Sequence, residues 1–155
     1  MRHMLVHHGS LEVSARANTL YERAKHYLLR DGVERSIFHR LEHEAHHIHL
    51  RTNKHNDDSY DAQTRTIHWD PYSALRTTQG GHQSPALGLG HEADHAAINA
   101  RVLSDGWNHP LKYYDDAEER RVIRGSETHA AHTLGEGARH NHAGTCYRVA
   151  SPIDS

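Results

Sequence analysis

The sequence is poor in the residues that usually build a large core. Apolar residues make up 35% of the 155 positions and aromatics only 6%, with a single phenylalanine and two tryptophans. The core is therefore expected to be modest, with part of the stability supplied by a bound ion. Cysteine is nearly absent: Cys146 stands alone, which excludes an internal disulfide and a cysteine-based zinc ribbon. No apolar run approaches the ~20 residues needed to span a bilayer. Met1–Leu11 lacks the pattern of a signal peptide, because its apolar stretch is short and interrupted by histidine, so export is expected to use another device. A basic surplus is missing too. The net charge of -2 argues against nucleic acid as a partner.

Histidine is what the chain has in excess, at 19 residues. A single domain across residues 1–155 has no use for that many ligands, so most must lie on the surface. Only histidines in a constrained pattern carry weight.

Periodicity sketches the elements. Met4–Val13 reads as a first strand, Ala15–Leu29 as a helix, and Val33 to Ala45 as a second helix capped by Asp31. Ile48–Thr52 and Thr64–Trp69 read as strands paired in a hairpin, and Arg76–Gln83 as a loop. Ser84 and Pro85 form a helix start, Ser as N-cap and Pro in the first turn. That helix is expected to run to Leu103 and to end at Asp105-Gly106. Asp116–Arg124 and His129–Leu134 read as further helices, Gly135–Gly144 as a loop and Tyr147–Val149 as a last strand. The sum is an α+β fold.

The pattern His-Glu-x-x-His occurs twice, at His43-Glu44-Ala45-His46-His47 and at His91-Glu92-Ala93-Asp94-His95. Residues four apart share a helix face, so two imidazoles can reach one ion while the intervening Glu takes a proton from water. Context separates the copies. The first has polar neighbours and runs straight into a strand, so it reads as a solvated helix end. The second lies inside the most apolar helix, among Gly88, Gly90, Ala96 and Ala97. Two His and a Glu there would be costly without a shared partner, and a metal is that partner.

A catalytic zinc keeps three protein ligands and an open position. From the residues alone, the third could be His109, Glu118, Glu119 or a later histidine. Ile98 and Arg101 stand where a metzincin needs Gly and His, and Ile123 stands where a thermolysin-type Asp would fall.

Ser84-Pro85-Ala86-Leu87-Gly88-Leu89-Gly90 leading into HEADHA, followed by Asp116-Ala117-Glu118-Glu119-Arg120-Arg121-Val122-Ile123, resembles the peptidase M91 family. Thr64–Pro71, Leu134–Gly137, Arg139, His142 and Tyr147 fit the same picture. Those proteins are zincins found as secreted bacterial effectors and as C-terminal toxin domains of Rhs-type proteins. Clostridial neurotoxin light chains, more distantly similar, bind zinc through the second Glu of a like segment. The resemblance implies a zincin-like fold with the motif on a central helix. It implies one zinc on His91, His95 and Glu119, with Glu118 as fallback, and Glu92 as general base. Tyr147, Arg139 and His142 become candidates to stabilise the oxyanion. Zincins lay substrate along a strand edge, and Thr64–Trp69 is the candidate edge. The implied function is a zinc metalloendopeptidase, secreted or delivered into a target cell, with a protein substrate there, an immunity protein as a further partner, and no membrane partner.

Two other readings compete. A non-catalytic, His-rich zinc-binding protein predicts several loosely held ions and no role for Glu92. A nuclease is suggested by Arg139-His140-Asn141-His142, but the charge does not support it.

Overall fold

The computed structural model describes residues 4–155, so the first three positions of Met1–Leu11 lie outside the described residues. The fold is α+β. Two strands open the chain, β1 (Leu5–His8) and β2 (Leu11–Ser14), where one was expected. They turn at Gly9, whose φ of +58° suits glycine; a Cβ there would also stand 1.9 Å from the Glu42 carbonyl oxygen. Ser14 caps α1 (Ala15–Leu28) by accepting from the Ala17 N–H, and Asp31 caps α2 (Gly32–His43) through Glu34.

The central sheet is five-stranded in the order β1-β2-β3-β5-β4. Here β3 is Ile48–Thr52, β4 is Ser59–Asp61 and β5 is Thr66–Trp69. The expected hairpin of Ile48–Thr52 with Thr64–Trp69 is not formed, because β3 and β5 run parallel. The hairpin partner of β5 is β4, drawn from the stretch read as a polar turn. Asp61 makes the reversal local, its Oδ1 accepting from the N–H groups of Gln63 and Thr64. It follows that Thr64–Trp69 is interior to the sheet, and the edge strand on its side is β4.

A second sheet joins β10 (Thr145–Arg148), β6 (Ser73–Arg76) and β7 (His82–Gln83), so the expected Arg76–Gln83 loop is a turn between two paired strands. The motif helix, α3 (Pro85–Ala97), packs on the central sheet through Ala86, Leu89 and Ala93, which join Leu11, Leu50, Ile67 and Trp69 in one buried core. Its start is fixed twice. The Trp69 indole N–H donates to the Pro85 carbonyl at 2.8 Å, and the Glu136 carboxylate accepts from both the N–H and the hydroxyl of Ser84.

The helix expected to reach Leu103 breaks at Ile98, whose ψ of 160° is extended. Asn99 then caps α4 (Ala100–Trp107) through the Arg101 N–H, which offers the chain an alternative to continuing the first helix. Gly106 lies inside α4 rather than ending it, and a Cβ there would stand 2.8 Å from Cβ of Glu118. A short ribbon of β8 (Pro110–Leu111) and β9 (Asp115–Asp116) leads into α5 (Ala117–Val122). The segment Ile123–Glu127, kinked at Gly125 where φ is -97° and ψ is -106°, connects α5 to α6 (Thr128–Leu134).

Candidate metal centre

The first HExxH copy cannot gather its histidines. Helix α2 ends at His43, Glu44 is its C-cap, and His47 has a φ of +35°. His43, Glu44, His46 and His47 are all exposed.

The second copy is buried on α3, with His91 2%, Glu92 7% and His95 0% exposed. Together they form a cluster that could hold a metal ion. Nε2 of His91 and Nε2 of His95 lie 3.1 Å apart, as the four-residue spacing requires. Glu119, at the start of α5, closes the triangle. Its Oε2 is 2.8 Å from His91 Nε2 and its Oε1 is 3.0 Å from His95 Nε2. Donors bound to one tetrahedral zinc at ~2.05 Å would stand ~3.3 Å apart, so His91 Nε2, His95 Nε2 and one Glu119 oxygen could hold that ion after a small outward shift.

Glu118 and Glu119 have separate tasks. Glu118 Oε2 accepts from His95 Nδ1 at 2.7 Å, on the side away from the cluster. It is itself held by the Arg121 guanidinium, which also reaches Asp94. His91 Nδ1 donates in the same way to Glu127, at 2.7 Å. Each imidazole is thereby fixed with Nε2 turned inward, the usual arrangement behind metal-binding histidines. Sequence reasoning did not name Glu127. The kink at Gly125 turns the chain so that Glu127 reaches the motif helix, and no local motif assigns Glu127 that task.

Charge balance in the centre is tight. Burial alone would lower both histidines. For His91 the surrounding Glu92, Glu119 and Glu127 outweigh it and raise the group well above its ordinary value. For His95, Glu118 and Glu119 do the same and push it up to about 9. Glu119 is held far below the carboxylate range: burial opposes this, but the two histidines prevail. Burial likewise opposes the ionised form of Glu127, yet His91 and Arg139 bring it down to about 2. Glu92 moves the other way, raised by burial. Among the described residues it accepts no hydrogen bond, and His91 Nε2 stands 3.8 Å from its Oε2.

A cavity of about 160 Å³ opens beside Glu92, between α3 and β6, bordered by His91, Arg139 and His142 among others. The His142 ring stacks on His91 with an interplanar angle of 10°, and its Nε2 is 3.4 Å from Glu119. Arg139 borders the cavity but is committed to Glu127, which it grips with Nε at 2.9 Å and Nη2 at 2.8 Å. Tyr147 does not border the cavity: from β10 it meets His82, Oη to Nδ1 at 2.7 Å. His109, another sequence candidate for the third ligand, is exposed near β8 and has no place in the cluster.

No family model, no curated protein and no solved structure matches this chain.

Proposed function

We propose that the chain is a zincin-like zinc metalloendopeptidase, with His91, His95 and Glu119 as protein ligands and Glu92 as general base. The observation that carries this reading is the approach of both Nε2 atoms and the Glu119 carboxylate to within 3.1 Å of one another, beside a buried carboxylate that accepts no hydrogen bond among the described residues. Zinc bound there would supply Lewis acidity and bring the pKa of a water toward ~7.

The protein's own groups account for the remaining steps. Glu92, raised by burial, is a stronger base than an exposed carboxylate. It takes the proton of the attacking water and hands it to the departing amine. Glu127 and Glu118 keep the histidines in register, and Arg139 acts through Glu127. His142, on the cavity wall, is the group best placed to meet negative charge developing on the peptide oxygen. Substrate can add along the free edge of β4, which packs beside α3.

The M91 resemblance supports two further parts of the proposal. One is delivery into a target cell as an effector or toxin, with a protein substrate there. The other is an immunity protein that protects the producing cell. The test is Glu92→Gln with metal analysis by mass spectrometry. One tight zinc per chain with lost peptide cleavage is the expected result. Unchanged cleavage would refute the mechanism. Several loose ions per chain would favour the non-catalytic zinc-binding protein.

A further inference from the structure

Asp58, just before β4, borders the same cavity as Glu92, and the mechanism gives it no task. Its Oδ1 accepts the Asp70 backbone N–H at 2.8 Å, which fixes the carboxyl. No hydrogen bond to its Oδ2 is formed by the described residues. That oxygen lies over Gly88 of α3, where a Cβ would stand 2.4 Å from it. The missing side chain at Gly88 is what lets the carboxyl reach the helix.

Gly88 and Glu92 are four residues apart on α3 and share a face. Two carboxyls therefore border one small cavity, and among the described residues neither has an ammonium or guanidinium partner. The basic side chains nearby are already committed, Arg139 to Glu127, His142 to Asp115, and His91 to Glu119 and Glu127. Asn56, Ser73 and Ser84 on the walls are neutral. Burial pushes the Asp58 carboxyl well above its usual range. Asp58 is half-buried, and a partly desolvated carboxyl gains most from a partner of opposite charge, since a neutral donor leaves its charge uncompensated. At about 160 Å³ the cavity is below the size that holds a drug-like ligand and suits one side chain.

We infer that this cavity receives a basic side chain of the substrate, Lys or Arg, next to the scissile bond, with Oδ2 of Asp58 as its counter-ion. The inference rests on the peptidase reading for its substrate but not for its cation site, and two experiments separate them. In the first, butylguanidinium and its neutral isostere butylurea are titrated into zinc-loaded protein by NMR. The cation is expected to bind at least tenfold more tightly and to shift the amides of Gly88 and Asp70. Asp58→Asn, which keeps Oδ1 for the Asp70 N–H, is expected to abolish the difference. Equal binding of the two probes by wild type, unmoved Gly88 and Asp70 amides, or a preference that survives in Asp58→Asn would each overturn the site. The wild-type comparison stands even if the variant does not fold. The second experiment is digestion of a degenerate peptide library. Lys or Arg enriched at one fixed position beside the cut, with the enrichment lost in Asp58→Asn, is the supporting result. Cleavage without basic preference keeps the peptidase and overturns the specificity. Cation binding through Asp58 with no cleavage by wild type keeps the site and overturns the peptidase.

Discussion

Glu127 accepts a hydrogen bond from Nδ1 of His91 at 2.7 Å across 36 residues of sequence. The pair fixes the tautomer of His91, because a proton held on Nδ1 leaves the Nε2 lone pair free for a metal. Glu127→Gln keeps the shape and removes the charge. Zinc affinity is expected to fall ~10–100-fold with little change in fold. Competition with a chromogenic chelator measures this, and an unchanged affinity would mean that Glu127 does not tune the site.

Zinc competes with protons at the same two imidazoles. His91 is raised well above its ordinary value and His95 stands at about 9, so both carry a proton at pH 7 without metal. Binding then displaces up to two protons. Affinity is expected to fall as pH falls, by up to ~100-fold per pH unit below both values. Calorimetry in buffers of different ionisation enthalpy counts the protons directly. A count near zero at pH 7 contradicts the charge assignment.

Glu34 is buried under α3 with both carboxyl oxygens unpartnered and stands close to Gly90. Burial first, then Asp94 and Asp31, push it up to about 8. A carboxyl raised in the folded state lends its stability below its unfolded pKa. That contribution drains away as pH rises through about 4.5 to 8. Glu34→Gln should therefore be more stable than wild type at pH 8, by a few kcal/mol at ~1.4 kcal/mol per pKa unit, and not at pH 4. Urea titrations of the metal-free protein at both pH values check this; parallel curves for the two proteins would refute it.

Tyr147→Phe should leave zinc affinity and turnover within about twofold, because its hydroxyl serves His82 and not the cavity. His142→Ala should lower kcat ~10²-fold if it meets the oxyanion. Measured side by side with one peptide, the reverse order of effects would restore Tyr147 as the catalytic group.

Local chemistry in the sequence determined the helix starts, the α+β class and the choice between the two HExxH copies. Ser14, Asp31, Ser84 and Asp116 cap the helices that they precede, because a short side-chain oxygen next to a helix start satisfies a free N–H wherever the rest of the chain goes. His91 and His95 share a face because the helix period is fixed. What needed tertiary contact was hidden. The parallel pairing of β3 with β5 depends on neighbours far along the chain. So does the division of labour between the adjacent acids, Glu119 toward the cluster and Glu118 behind His95. Side chains at consecutive helix positions point ~100° apart, and only the packing of α5 against α3 and α4, allowed by the bare backbone of Gly106, decides which one faces inward. The opening motif was legible because it is local; the carboxylates that orient it were not, because they arrive through a kink at Gly125 and a helix crossing that no sequence period records.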